Sequence, residues 1–570
     1  MKKISGRKAE KTSAKTLCLK AIRIIFEIYA ILLLGIYPLC HGKTYADTSS
    51  AKWSFYKGIT WYLKLVNGEK TLIFPGLLSV LIILVIAYRI MTVKSKKIQE
   101  IFSFGKLSQF DICLGAYLIF AFVSLLLSGD ISGTLQGYKG WYMGFLSQLA
   151  FVLTAAFASR VLPREDIPVM AFIAAGSASI VFAIALLNRL SIDPLSLLKS
   201  ISTTQYGAFT STMGQTSWYS GYLILIVPLG LYFYHSSRRR GGAQQVGAGG
   251  AGFKTAAAIV FLILCSMAFV SNNSDSAFVG FLLAAEVLLY FSFDNAADIR
   301  SFVEIVLIML FSFVIFGFIR RLAGEGAVAL DAPSEFLMNG WIAVLALAAG
   351  ILYVVQRKKQ RVLQGADLTR YRGLRKLALA VTAAASIILI IYIALNTAGL
   401  LPESVCTKNS YLYFDNSWGH FRGAIWKDTI ISYAEMIKNG DLKRILFGYG
   451  PDSFYRLIEG NYSADVRAIA GAATGHETAI LTNAHNEFAT AIVNFGILGG
   501  TAYIAIFIAA LKDFFKNVGK EHNLIACAMC VASYIGFNLF CYQQYMSTPY
   551  VFLIMGIGER YLRPEGELKE

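Results

Sequence analysis

Long apolar stretches recur from one end of this chain to the other, and they constrain its fold more than any other feature. A helix needs roughly 17 to 25 apolar residues to cross a bilayer, and about fourteen stretches approach that length. The chain has 570 residues, of which 56% are hydrophobic and only 15% are charged. One soluble core could not use so many apolar side chains. The sequence therefore predicts an all-α polytopic membrane protein with about 12–14 transmembrane helices.

The predicted spans divide the chain into five parts, which are listed here in order. They are a basic cytoplasmic tail at 1–20, about eleven transmembrane helices at 21–396, a large, partly helical extracytoplasmic loop at 397–486, about three further helices at 487–562 and a cytoplasmic tail at 563–570. Two smaller loops are expected at 45–70 and 241–252, the second rich in glycine and flexible. The spans lie near 21–40, 71–91, 110–128, 141–160, 167–188, 217–235, 255–271, 276–293, 302–319, 336–355, 377–396, 487–510, 524–541 and 548–562.

The positions of lysine and arginine predict the orientation. Short cytoplasmic loops retain these residues, and the N-terminal tail, Lys94–Lys97, Arg238–Arg240 and Arg357–Lys376 fall on one side if the spans alternate. Both termini are therefore predicted to be cytoplasmic, in a multi-pass protein of the cytoplasmic (inner) membrane. The net charge of +17 fits attraction to anionic lipid. Because the bases are scattered over short loops, nucleic acid is not an expected partner.

The cysteines give no sign of a metal or disulfide framework. Most of the 8 cysteines fall within predicted spans, and only Cys406 lies in the large loop. Cys527 and Cys530 have the spacing of a metal pair, but no second pair follows, so packing is the preferred interpretation. The sequence predicts no metal site and no cofactor.

The large loop contains a helix and a glycine-rich turn. Apolar residues at helical spacing from Phe421 to Ile437, followed by Asn439-Gly440, predict an amphipathic helix over the membrane with a C-cap. Further on, Gly448 and Gly450 allow tight backbone turns. Such a turn can form a nest of amide groups for an anion.

A histidine stands where this polar loop re-enters an apolar helix, in Asn483-Ala484-His485-Asn486. An imidazole can take or give a proton near neutral pH, and an ionisable group at the edge of a membrane segment is a functional-site hypothesis because its burial is costly. The alternative is an ordinary helix start capped by Asn486. His420 and His476, elsewhere in the loop, are predicted to have surface roles.

Several of these pieces together resemble one family. They are Arg422 with Trp426, then Phe447-Gly448-Tyr449-Gly450-Pro451, then Ala484-His485-Asn486 before a glycine-containing apolar helix, and, more weakly, the upstream segment Phe209–Leu223. In this order they look like the O-antigen ligase and O-antigen polymerase superfamily. The resemblance covers about 205–510 of the chain, and its specific part is the C-terminal block.

The resemblance implies a GT-C-like membrane glycosyltransferase that needs no metal. Its donor would be a polyprenyl-diphosphate-linked glycan, its acceptor a glycan or glycolipid, and its surroundings the lipid bilayer. A histidine at the position of His485 would activate the acceptor hydroxyl, and arginines would hold the diphosphate. Arg422 matches one of these arginines, whereas Asp275 stands in the place of the other. Arg320 and Arg321 are the replacement candidates, although both also fit as interfacial anchors.

The remaining residues expected to contact substrate are Trp426, Gly448, Gly450 and Asn486. The sequence does not distinguish a ligase from a polymerase, or name the sugars. Two other classes stay open. A polysaccharide flippase or transporter would also have many spans, although matched halves are typical of transporters and none is found here. A third possibility is an envelope scaffold whose active site has lost its activity. The presence of Asp275 in the place of an arginine is compatible with this possibility.

Overall fold

The computed structural model describes residues 14–67, 70–92, 107–138, 140–240, 248–294, 296–359, 369–409, 411–458, 466 and 480–564. It is 77% helical with little sheet. Within these ranges 8 helices are long and apolar enough to cross a membrane, and four shorter apolar helices accompany them. The chain is thus a mostly helical, multi-pass membrane protein. The larger number of 12–14 spans stays a prediction.

The helices of the first half lie in this order: α1 Ala14–Ile31, α2 Tyr45–Thr60, α3 Leu77–Thr92, α4 Gln109–Leu127, α5 Ile131–Gln136, α6 Phe145–Val161, α7 Ile167–Arg189, α8 Thr216–Arg240, α9 Ala248–Val270 and α10 Asp275–Ser292. Those of the second half are α11 Ala296–Ala323, α12 Ala332–Leu337, α13 Gly340–Lys359, α14 Thr369–Thr397, α15 Trp418–Lys438, α16 Leu442–Phe447, α17 Tyr455–Ile458, α18 Glu487–Asn517, α19 Leu524–Asn538 and α20 Thr548–Leu562. Every predicted span overlaps one of these helices.

Two short antiparallel ribbons interrupt the helices, and the structure remains compatible with the predicted all-α polytopic fold. Strand β1 (Tyr62–Asn67) pairs with β2 (Lys70–Pro75), and β3 (Phe209–Thr210) pairs with β4 (Gly214–Gln215). The predicted span at 71–91 therefore starts too early, because its first residues pair with β1. Pro75 ends the strand, and α3 begins two residues later.

Two predicted loops are also more ordered than expected. The 45–70 segment holds α2 and β1 rather than irregular chain. In the segment 241–252, residues 241–247 lie outside the described ranges, and the rest already belongs to α9. These helices are hard to recognise from the sequence. The first stretch is rich in serine and threonine and the second in glycine, and such residues favour helix interiors less than caps and turns.

Helices α10 and α19 pack closely against each other, and small residues make this approach possible. A Cβ atom on Gly280 would lie 2.6 Å from the carbonyl oxygen of Ser533, and one on Gly536 would lie 2.9 Å from that of Val279. Small residues at crossings let membrane helices approach each other closely. This contact brings the start of α10 beside the end of α19, where Ser276 Oγ lies 3.4 Å from Phe540 O.

The bundle has two ends, which carry different chemistry. We call "loop end" the end where α8, α10 and α18 begin and α19 finishes, covered by residues 411–458. The "far end" is where α8 finishes, α11 begins and residues 518–523 join α18 to α19. About eighteen helical residues separate Ser217 from His235 on α8, which at 1.5 Å each is about 27 Å.

Candidate functional site

His485 lies at the loop end, in a strained turn that opens α18. Its backbone has φ of 49°, a left-handed conformation that non-glycine residues adopt rarely. The turn is held by two bonds: the His485 amide donates to Asn483 Oδ1 at 3.0 Å, and Trp426 Nε1 donates to Ala484 O at 2.9 Å. A strained residue held in this way is a motivation for a functional hypothesis.

Asn486 caps the helix rather than facing an open site. Its side-chain oxygen accepts from the Ala489 amide at 2.9 Å, and its Nδ2 donates to Leu539 O at 3.0 Å. Both ends of the amide are therefore engaged by the protein. The structure thus assigns Asn486 a capping role, and its expected contact with substrate stays a prediction.

The His485 imidazole is half-buried and neutral. Its ring meets the Tyr542 ring edge-on, with 5.3 Å between centroids. Burial, with a smaller contribution from the charge of Arg422, lowers the pKa of His485 to about 3. The ring is therefore uncharged at neutral pH and has a lone pair that can accept a proton. Tyr542 also donates to Gln215 Oε1 at 3.3 Å, so the upstream segment Phe209–Leu223 reaches this site.

Arg422 is fixed beside the imidazole by three protein acceptors. Gly419, His420 and Phe421 form a left-handed turn, after which regular helix begins at Arg422. The guanidinium donates to Phe540 O at 2.8 Å, to Ser276 Oγ at 3.3 Å and to Gly419 O. A guanidinium has five N–H donors, and among the described residues these three bonds leave two. Arg422 can therefore bind an anion without losing its anchors.

Asp275 is part of a small ionic cluster next to Arg422. Its carboxylate accepts from Tyr411 Oη at 2.8 Å and contacts His420 Nε2 at 3.1 Å. Hydrogen bonding to Asp275 raises the pKa of His420, and His420, when protonated, offsets the charge that Asp275 brings to the arginine's place. The His420 side chain is 71% exposed, as a surface role predicts, yet it also belongs to the site. His476 lies outside the described residues.

The glycine turn is a packing device rather than an anion nest. The amides of Gly448, Tyr449 and Gly450 donate to the carbonyls of Arg444, Val493 and Asn494 at 2.8, 3.1 and 2.9 Å. The last two acceptors lie where α18 breaks at Gly496, whose φ is 70°. These amides are thus already used within the protein, and the expected contact of Gly448 and Gly450 with substrate stays a prediction. They fasten the loop to α18.

Arg320 and Arg321 lie at the end of α11 and line a different cavity, of about 420 Å³. Arg320 is engaged by Glu335 at 2.7 Å and by Val328 O at 2.7 Å. Neither His485 nor Arg422 lines this cavity. The structure therefore does not bring the two replacement candidates into the site around His485.

An aromatic wall stands between the loop helix α15 and the end of α19. Trp426 lies 5.2 Å from Trp418 and stacks on Phe540 at 6.0 Å, measured between ring centroids. The Trp426 N–H already donates to Ala484 O, so Trp426 would contact a ligand through the face of its ring. Such a surface suits the apolar face of a sugar or an isoprenoid chain.

Sequence reasoning missed Tyr542, Phe540, Ser276 and the Asp275–His420–Tyr411 cluster as a unit. Only Asp275 had a signal, through its place in the resemblance. No family model matches the chain, and no curated protein is significantly similar to it. The resemblance to the O-antigen ligase and polymerase superfamily therefore stays an expectation drawn from the quoted motifs.

Proposed function

We propose that this protein is a membrane glycosyltransferase that transfers or polymerises polyprenyl-diphosphate-linked glycans at the outer face of the cytoplasmic membrane. The observation that carries the proposal is the neutral imidazole of His485 next to a fixed Arg422 with two spare N–H donors. Proton acceptor and anion-binding group are the two parts that glycosyl transfer from a diphosphate requires.

The reaction follows from these two groups. His485 takes the proton of an acceptor hydroxyl as that oxygen bonds to the anomeric carbon, while the bond from that carbon to the diphosphate oxygen breaks. The diphosphate leaves with the electron pair, and Arg422 stabilises its charge. Positioned proton transfer contributes roughly 10²- to 10⁴-fold, and a permanently charged, planar guanidinium suits phosphate oxygens.

The diphosphate would also adjust the base. In the free site, burial and the charge of Arg422 lower the pKa of His485. A diphosphate bound to Arg422 opposes that second effect, because negative charge favours the protonated imidazole. The pKa of His485 therefore rises when donor binds, and the imidazole becomes a stronger base when it is needed.

Replacing His485 tests the proposal directly. We expect cells whose only copy carries His485→Ala or His485→Gln to lose at least roughly 100-fold of transfer activity, with normal abundance of the protein in the membrane. His41→Ala removes an exposed histidine outside the site and serves as the matched control. Lengths of lipid-linked and surface glycans are the readout.

The glycan lengths also separate the two reaction types. Single repeat units accumulating on the carrier identify a polymerase, whereas full-length chains stranded there identify a ligase. An unchanged profile in both His485 variants would contradict the glycosyltransferase and favour a transporter or a scaffold.

A further inference from the structure

Two histidines and an aspartate meet at the far end of the bundle, about 27 Å along α8 from the candidate site. His235 comes from the last turns of α8, Asp298 from the first turn of α11, and His522 from the connection before α19. One ligand atom from each lies within 4.8 Å of the others. The side chains of His235 and Asp298 are only 1% exposed, and His522 is half-buried.

The hydrogen bonds determine which nitrogen of His235 carries its proton. Ser301 Oγ donates its single hydrogen to Asp298 O at 2.8 Å, so it must accept from His235 Nδ1, which lies 2.6 Å away. Nε2 of the neutral ring is then an unprotonated lone pair. This buried atom has no hydrogen-bond partner among the residues that the structure describes, and it faces Asp298 Oδ1 at 3.7 Å.

A lone pair facing a carboxylate oxygen is repulsive unless a cation lies between them. A doubly protonated ring would form an ion pair with Asp298, but 3.7 Å is longer than a hydrogen bond, so the buried Nε2–H would still lack an acceptor among the described residues. Zinc bonds of about 2.0–2.2 Å to nitrogen and oxygen put neighbouring ligand atoms of a tetrahedral site roughly 3.3–3.6 Å apart. The observed separation of His235 and Asp298 is close to this value, and His522 completes three ligands.

We propose that His235, Asp298 and His522 bind a divalent transition-metal ion of the zinc class, which ties α8, α11 and the start of α19 together. Two imidazoles and one carboxylate favour this class over Mg²⁺ and Ca²⁺, which prefer oxygen ligands. The ion plays no part in glycosyl transfer. It acts as a structural clamp, because an ion that binds only the folded state stabilises that state.

Two neighbours shape the site from outside. Ser301 orients His235, as residues behind metal ligands commonly do. Arg239 contacts Asp298 Oδ2 at 3.1 Å and so directs Oδ1 toward the imidazole. Its positive charge also opposes a dication, so Arg239→Gln, which keeps a hydrogen-bond donor but removes the charge, is expected to tighten metal binding.

The test uses the full chain, purified in detergent and stripped of metal with a chelator. After Zn²⁺ is added and excess is removed, we expect about one zinc ion per chain by elemental analysis, together with a higher melting temperature. Losing even an orienting neighbour of a ligand costs roughly 10- to 100-fold in affinity. Because His522 is itself a ligand, His522→Ala is expected to lose at least 100-fold.

Controls keep this test decisive. His41→Ala removes an exposed histidine outside the cluster and is expected to bind zinc like the unchanged chain. His235→Gln removes the buried ligand, and His522→Ala serves if that variant does not fold. Zinc binding that is equal in the unchanged chain and in folded His522→Ala, or absent from both, would overturn the proposal.

Discussion

The two ends of the bundle hold similar groups in opposite environments. At the loop end, His420 contacts Asp275 beside Arg422, and its side chain is 71% exposed. At the far end, His235 faces Asp298 beside Arg239, and its side chain is 1% exposed. The exposed His420 can exchange its partner for an incoming ligand, whereas the buried His235 and Asp298 are fixed by α8 and α11. The same residue types thus suit a reactive site in one place and a clamp in the other.

The two ends also differ in how they are held. Left-handed residues and loop contacts place His485 and Arg422, while two long helices, α8 and α11, and the connection before α19 place the far-end cluster. Backbone strain and loop contacts can be altered by a substitution at the loop end without a change in the rest of the bundle. Changes at the loop end should therefore affect transfer and leave zinc binding unchanged.

The largest effect is expected for Arg422→Ala. Losing a charged donor to the leaving group should lower transfer by roughly 10²- to 10³-fold, because the diphosphate charge is then unmatched. Lys438→Ala removes an exposed positive charge from the same helix and should leave transfer unchanged. Activity on lipid-linked substrate is the measurement. Equal activity of the two variants would remove Arg422 from the site.

Fastening of the loop is tested by Gly450→Ala. A Cβ there would lie 2.6 Å from that of Ser128 with φ at 112°, whereas Gly440 has φ of 69° and open space. Both substitutions strain the backbone, but only the first overpacks, at a further cost of about 1–3 kcal/mol. We expect a lower melting temperature for Gly450→Ala than for Gly440→Ala, with zinc binding kept by both. Equal melting would argue against the close approach.

A smaller effect is expected for Trp426→Phe. It keeps an aromatic ring in the wall but removes the bond to Ala484 O, which is worth about 1 kcal/mol. Because that bond holds the His485 turn, transfer should fall several-fold and protein abundance should not. Lys427→Gln, on the next residue, changes an exposed side chain bonded to Asn416 and is the control. A Trp426→Phe enzyme as active as this control would show that the bond is dispensable.

The smallest effect concerns pH. Because Asp275 raises the pKa of His420 above 6.5, the pair stabilises the protein fully below that value and loses its effect as pH rises through the raised pKa. The pair is exposed, so its contribution is about 1 kcal/mol or less. The melting-temperature difference between the unchanged chain and Asp275→Asn should therefore be largest below pH 6.5 and shrink as the pH rises through the raised pKa of His420. A constant difference would mean that His420 stays neutral.

Helix positions were largely readable from the sequence, since apolar length alone distinguishes a bilayer-crossing stretch. The exceptions are informative. The 71–75 segment is apolar but forms strand β2, because its partner at 62–67 supplies hydrogen bonds that no local pattern reveals. The sequence predicts a flexible loop at the start of α9 because glycine is a poor helix former.

By itself the sequence determined the membrane class, the loop helix with its cap at Asn439-Gly440, and the choice of His485 and Arg422 as candidates. Only the tertiary structure decided that Gly448 and Gly450 fasten α18, that Asn486 is a cap, and that Asp275 pairs with His420. It alone brought His235, Asp298 and His522 together. The reason is physical: periodicity and local propensity act over a few residues, whereas hydrogen-bond partners and burial depend on segments that meet only after folding.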